Sequence, residues 1–274
     1  MEKIFDITAI RAAHIRAARL NGDRFLDAAA VDGLADRLAV VTRKFPRGLL
    51  VGDAVPDVIA PFAQDWTLAR FDDQERLVAD GPFDLAVSIF SLQTINDLPG
   101  ALVQLRRLLK PDGLFVGALL GGSTLGELRD SFAAAELATR GGISPRISPF
   151  ADVRDMGGLL QRAGFALPVA DVERLTVRYG DFFSLVRDLR AHGFTNTLTQ
   201  RSRQALRRDT LATLLAHYRD HHSEDGKILA RFETLYLTGW TPHESQQQPL
   251  KPGSAKTRLA DALGVNEQKL SSDA

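Results

Sequence analysis

Two short apolar runs with a helical segment between them constrain this chain more than anything else in it. Phe83 to Phe90 (FDLAVSIF) and Leu114 to Leu120 (LFVGALL) are apolar without alternation, as strands covered on both faces must be. Asp97 to Leu109 carries helical spacing with arginines late in the segment, where the carboxyl end of a helix favours positive charge. Lys110-Pro-Asp-Gly113 then turns the chain into the second run. Strand, helix and strand in that order form the crossover unit of a parallel sheet, so the chain is expected to be α/β and doubly wound. Gly48 to Val51, ending in Gly52, reads as a further buried strand before them.

Around this unit the pattern is mostly helical. Two amphipathic helices are expected between Ile10 and Thr42, giving an N-terminal helical segment over residues 1–47. The α/β body then covers 48–240, with helical insertions at about 121–165 and 181–225. Asp152 to Ala163, Phe182 to His192 and Arg208 to His221 are the clearest helices there, and Gly164 closes the first as a C-cap. Val169 to Tyr179 and Ile228 to Trp240 read as strands, the second with Phe232, Tyr236 and Trp240 as the core of an edge strand. The remainder, 241–274, is polar and reads as an extended or loose tail.

Composition excludes several functions. Lys plus Arg and Asp plus Glu each number 34, so there is no net field for a nucleic-acid backbone, and nucleic acid is not an expected partner. Cysteine is absent, which removes disulfides, thiolate metal sites and a cysteine nucleophile together and places the chain in a reducing compartment, the cytoplasm by default. Residues 1–20 are broken by charges and do not read as a signal peptide, and no run reaches transmembrane length.

Stretches along most of the chain after Phe83 carry a resemblance. Phe83-Asp-Leu-Ala-Val-Ser88, Asn96-Asp-Leu-Pro-Gly100 and Leu108-Leu-Lys-Pro-Asp-Gly-Leu-Phe115 resemble the fourth strand, following helix and fifth strand of class I S-adenosylmethionine methyltransferases. Gly121-Gly-Ser-Thr-Leu-Gly-Glu-Leu-Arg129, Gly141-Gly-Ile-Ser-Pro-Arg-Ile-Ser-Pro-Phe150, Leu159-Leu-Gln-Arg-Ala-Gly-Phe165, Arg208-Asp-Thr210, Glu224-Asp-Gly226 and Gly239-Trp-Thr-Pro-His-Glu-Ser245 resemble the arginine-hydroxylase type of complex I assembly factor within that superfamily. The resemblance implies a methyltransferase-like protein that aids assembly of NADH:quinone oxidoreductase by hydroxylating an arginine on its quinone-proximal iron–sulfur subunit, in peripheral association with the membrane complex. Two alternatives stay open: a non-catalytic assembly or binding module that has lost S-adenosylmethionine, and a small-molecule or acyl-carrier O-methyltransferase.

The first third departs from the family pattern. Val51 stands where the strand usually ends in an acid, Asp53, Val55 and Asp57 replace the glycines of the cofactor turn, and Pro56 removes a donor. Arg70 occupies the place of the acid that accepts from the ribose hydroxyls, and Phe71 to Pro82 leaves little room for the usual helix and third strand. S-adenosylmethionine is therefore a candidate cofactor whose turn is eroded. Gly52, Asp53, Ala54, Ser88, Ser91 and Leu92 are the candidate cofactor-side residues.

Gln93, Gly121, Gly122, Ser123, Thr124 and Arg146 are the candidate substrate or lid residues, and none of the twelve declares itself a base. Asp53 and Asp57 read equally as a polar turn, Gly121-Gly122 as a strand breaker, and Gly141 to Phe150 as either a lid or a stiff connection, with Arg146 facing a partner or water. His217 and His221 lie four apart with His222 and Glu224 nearby. Lacking a third ligand at a fixed offset, they read as a solvated helix end, and no metal is expected.

Overall fold

The computed structural model describes residues 3–20 and 22–246, so the polar tail lies almost wholly outside the described residues. The described residues up to Pro242 form one compact unit. Its elements are α1 (Ile7–Leu20), α2 (Phe25–Ala39), β1 (Phe45–Val51), β2 (Ala63–Ala69), β3 (Phe83–Ile89), α3 (Leu98–Leu108), β4 (Leu109–Leu120), α4 (Gly126–Arg140), α5 (Val153–Arg162), β5 (Ala166–Tyr179), α6 (Phe182–Ala191), α7 (Arg208–His221), β6 (Ser223–Glu224) and β7 (Lys227–Trp240).

The strands join in one sheet of order β2-β1-β3-β4-β7-β5, with β6 pairing off β7. β2, β1, β3 and β4 run parallel, and β4–β7, β7–β5 and β7–β6 are antiparallel. Leu49–Val51, Leu85–Ser88 and Phe115–Ala118 are thus neighbouring interior strands, as their two-sided apolar pattern requires. Strand pairing of β4 starts at Leu109, ahead of the Pro-Asp-Gly turn, which survives as an irregularity with Asp112 at φ 58°. One expectation fails: β7 lies between β4 and β5, so Phe232 and Tyr236 are interior residues and not the core of an edge strand. The physical reason is that β5 is the polar-faced strand and takes the edge, while β7 is buried along most of its length.

Helices cover both faces. α2 places Ala30, Leu34 and Leu38 against Leu50, Leu85, Val87 and Val116 on one side. α3 and α5 place Leu102, Leu105, Met156 and Leu160 against Leu49, Ala86, Phe115 and Leu119 on the other. A third cluster, built from α4, α6, α7 and the outer halves of β5 and β7, centres on Leu128, Leu185, Leu214, Tyr218 and Phe232. At the base of the sheet the buried carboxylate of Asp84 accepts from the Arg47 amide at 3.0 Å and from Lys110 Nζ at 2.9 Å, pinning β1, β3 and β4 together.

After β1 the chain makes only a single 3₁₀ turn, Ala60–Phe62, before entering β2, and after β2 an Asp72–Arg76 turn returns it to β3. Neither a helix nor a strand occupies Phe71 to Pro82, as the sequence suggested.

Arg146 corrects another expectation. It does not face water or wait for a partner: its guanidinium binds Glu136, whose side chain is 0% exposed, and lies 5.5 Å over the Phe132 ring. Ser144 donates to the same carboxylate through both its amide and its hydroxyl, at 2.7 Å each. Asn196 Nδ2 donates to the Pro145 carbonyl at 2.8 Å, and the Gly122 amide to that of Ala151 at 3.0 Å. The 141–150 loop is therefore stapled down, because a buried carboxylate has to be matched by donors and a cation.

Burial alone would raise the pKa of Glu136, but the bonds from Ser144 and Arg146 outweigh it and hold the carboxyl below its usual range. A depressed folded pKa contributes stability that is present above the unfolded value of 4.5 and lost as pH falls through the folded one. Glu136→Gln should cost about 3 kcal/mol at pH 7 in urea unfolding, the scale for breaking a buried pair, and the difference from wild type should shrink on acidification below about pH 4.5. Gly33 of α2 generates a second expectation, since a Cβ there would run into the hydroxyl end of the buried Tyr236 ring. Gly33→Ala should therefore destabilise by about 1–3 kcal/mol despite its better helix propensity, and adding Tyr236→Phe should return part of the loss.

Candidate functional site

A cleft of about 1080 Å³ opens at the carboxyl ends of β1, β2 and β3. Parallel sheets place ligands there, because the loops that follow the strands diverge around the ends of the sheet. Its floor is Val51, Gly52, Asp53 and Ala54 after β1, Arg70 to Arg76 after β2, and Ile89, Phe90, Ser91 and Gln93 at the end of β3. α1 contributes Ile10, Arg11 and His14, the stapled loop contributes Arg146 to Ser148, and the segment after α6 contributes His192 to Thr197.

The candidate residues divide. Gly52, Asp53, Ala54, Ser91, Gln93 and Arg146 all line the cleft. Ser91 Oγ donates to the Val51 carbonyl at 2.8 Å, and the Leu120 amide donates to Gln93 Oε1 at 3.1 Å, so these two side chains tie the ends of neighbouring strands together. Ser88 and Leu92 do not face it; both are buried within the packed layers. Gly121, Ser123 and Thr124 also turn away. Ser123 Oγ donates to Glu233 Oε2 at 2.6 Å, and Thr124 Oγ1 donates to the Glu233 carbonyl at 3.1 Å. A Cβ at Gly121 would fall 2.5 Å from Glu233 Oε1, so the bare backbone there serves the carboxylate and not a ligand. Gly122 borders a smaller neighbouring cavity of about 570 Å³ with Pro149 and Phe150.

Four of the five acids that line the cleft are arranged in two ways. Asp72 accepts from the amides of Gln74 and Arg76 and from the Arg76 guanidinium, which lower its pKa. Glu75 accepts from the Asn96 and Asp97 amides, each at 2.8 Å, which caps the approach to α3 and holds its carboxyl low against the opposing effect of burial. Both are spent on local structure. Asp53 and Asp73, by contrast, each meet one exposed arginine of the chain itself: Asp53 pairs with Arg70, and Asp73 with Arg11 of α1 at 2.6 Å. Exposed pairs of this kind contribute little to stability and exchange readily. Partial burial and then the charges of Arg70 and Arg24 hold His14, which also lines the cleft, below the ordinary histidine range.

One polar pair bordering the cleft was not visible in the sequence. The wholly buried side chain of His192 sets Nδ1 2.7 Å from Asp27 Oδ2, while Nε2 has no hydrogen-bond partner. Phe194 stacks on the ring at 5.4 Å and Phe25 meets it edge-on at 5.3 Å. Asp27 thus fixes the ring, and the second nitrogen is enclosed with it. Asp27 and His192 are 165 residues apart, and no local pattern links them.

S-adenosylmethionine fits this floor poorly. The turn after β1 leads into a 3₁₀ turn and not into a helix whose first amides could face the ligand. The Gly52 amide is already donated to the Ala69 carbonyl at 3.0 Å. Arg70, engaged with Asp53, stands where ribose hydroxyls need an acceptor.

A family model described as a methyltransferase domain matches residues 8–168. A zebrafish (Danio rerio) protein named arginine-hydroxylase NDUFAF5, mitochondrial, is 44% identical over 195 residues, covering 71% of this chain and 60% of its own length. The human protein of the same name is 37% identical over 259 residues, covering 85% of this chain and 74% of its own. Malonyl-[acyl-carrier protein] O-methyltransferase of Laribacter hongkongensis is 35% identical over 192 residues, 70% of this chain and 62% of that one. The chain thus spans 60% of the zebrafish relative, and 45% of the Dictyostelium discoideum protein of the same name. Among solved structures, a methyltransferase-like protein of Bacillus halodurans superposes with TM-score 0.49 at 13% identity, covering 77% of this chain and 98% of its own. With the family model spanning more than half of the residues and the human relative matched over most of its length, this chain belongs to the methyltransferase-domain family.

Proposed function

We propose that the chain acts on an arginine side chain of a partner protein, in the manner of the arginine hydroxylases it resembles, and so aids assembly of NADH:quinone oxidoreductase. The quinone-proximal iron–sulfur subunit is the substrate that reading names. The observation that carries it is the pair of cleft carboxylates, Asp53 and Asp73, whose present partners are the chain's own arginines. An incoming guanidinium can take the place of Arg70 or Arg11 without leaving any buried group unpaired, and a carboxylate binds it bidentately. His14 of α1 and the buried His192, held by Asp27, border the same cleft. The identity to relatives named arginine-hydroxylase supports the same choice.

No step is assigned to S-adenosylmethionine, because the floor offers Asp53 and Arg70 side chains where the cofactor needs bare backbone and an acceptor. That same feature favours a second reading, a non-catalytic module that holds a subunit during assembly. The small-molecule or acyl-carrier O-methyltransferase reading needs the missing turn. No helix of the described residues is long and apolar enough to cross a membrane. Action in the cytoplasm, at the complex's peripheral arm, is part of the same proposal and rests on the resemblance alone.

Mass spectrometry of that subunit from a deletion strain separates the first two readings. The arginine should lack its added oxygen and assembled complex should fall; lowered assembly with an arginine that is unmodified in wild type too would leave the holding module. Asp53→Asn, at an exposed position, should fold normally yet reduce modification about tenfold or more, the scale of one lost charge-assisted bond. Calorimetric titration with S-adenosylmethionine should give no saturable heat at micromolar concentrations; binding near 1 μM, about −8 kcal/mol, would return the cofactor to the site.

A further inference from the structure

The sequence offered His217 and His221 one turn apart and no third ligand. Folding instead joins His217 to His222 and adds a carboxylate. α4 packs along α7, and this brings Asp130 of α4 beside His217 of α7 and His222 just past its end. One ligand atom from each of the three residues lies within 4.8 Å of the others.

His222 Nε2 is 2.7 Å from Asp130 Oδ2, and His217 Nδ1 is 3.2 Å from the hydroxyl of the buried Ser131. His221 stacks on His217 with ring centroids 4.2 Å apart, and its Nδ1 is held by the His217 carbonyl at 3.1 Å. The imidazoles are thus fixed by neighbours rather than free to turn in water, as metal-binding histidines are.

We propose that Asp130, His217 and His222 bind one divalent cation of the zinc class and so clamp α4 to α7. Two imidazoles and one carboxylate suit zinc, cobalt(II) or nickel(II), whereas magnesium and calcium require mostly oxygen donors. Tetrahedral zinc with ligands at about 2.0–2.2 Å sets its donor atoms about 3.3 Å apart. The donor atoms, within 4.8 Å of one another, already lie near that spacing. Three protein donors leave the fourth position for water. None of the three residues lines the cleft, so the site is independent of the function proposed above. The competing account is a hydrogen-bonded surface cluster, since the Asp130 side chain is 58% exposed and its bond to His222 is satisfied without a cation.

The test uses the full chain without an affinity tag, stripped by chelator and dialysed, then titrated with cobalt(II) and, by calorimetry, with zinc(II). The expected result is one equivalent bound in the micromolar range, visible cobalt absorption of low coordination number, and a raised melting temperature with zinc. His217→Ala, His222→Ala and Asp130→Asn should each weaken binding about tenfold or more, and His221→Ala by less than about threefold. Asp130→Asn guards against misfolding, because its exposed side chain can change without loss of packing. Absence of saturable binding to the wild-type chain, binding by Asp130→Asn and His222→Ala equal to wild type, or equal affinity for magnesium would each overturn the proposal.

Discussion

Everything in this structure is arranged around β3, whose residues are buried on both faces from Phe83 to Ser88. A strand of that kind cannot sit at an edge or face water, so it demands a sheet neighbour on each side and a helical layer on each face. β1 and β4 supply the neighbours, and α2 with α3 and α5 supply the layers. Because the strands are parallel, their carboxyl ends gather on one side, and the loops from β1, β2 and β3 splay there into the cleft. Position of the site is thus a consequence of burial, settled before any functional residue is considered.

That part of the molecule was legible because it is written locally. The two-sided apolar runs, the late arginines of α3 and the glycine after α5 are signals within a dozen residues, and each marks the element it announces. What was not legible is long-range and polar. Asp27 with His192, Glu136 with Arg146, Glu233 with Ser123 and Asp130 with His222 each join different elements. In sequence each partner looks like an ordinary surface charge or turn residue. Arg146 illustrates the difficulty: between two Ser-Pro pairs it reads as an exposed cation, and only the burial of Glu136 ten residues earlier turns it inward. The misplacement of β7 at an edge has a similar origin, since strand order depends on the polar faces of β5, not on β7 itself.

Gly121 and Gly52 show why a motif can persist in form while its physical purpose differs. Gly52 keeps the tight exit from β1, yet its amide is committed to β2. Gly121 keeps the bare backbone at the end of β4, yet the space is filled by Glu233 from the antiparallel strand next door. In neither place does a glycine leave an amide free toward a ligand. Reading such positions as cofactor contacts requires knowing where the amide hydrogen and the vacant Cβ volume go, which is tertiary information.

The shortened connections around β2 carry the argument one step further. With a 3₁₀ turn in place of a helix after β1, and a turn in place of helix and strand after β2, the family's cofactor floor loses its backbone donors. The space is instead closed by side chains: Arg70 reaches Asp53 across it, and Arg11 brings α1 down onto Asp73. A floor made of backbone is rigid and favours one ligand, whereas a floor made of exposed ion pairs is exchangeable and favours whatever charged group can replace one partner of each pair. Loss of the connecting elements therefore leaves the sheet that positions the cleft intact while replacing a floor of backbone donors by exposed ion pairs, the feature on which the proposed guanidinium site rests.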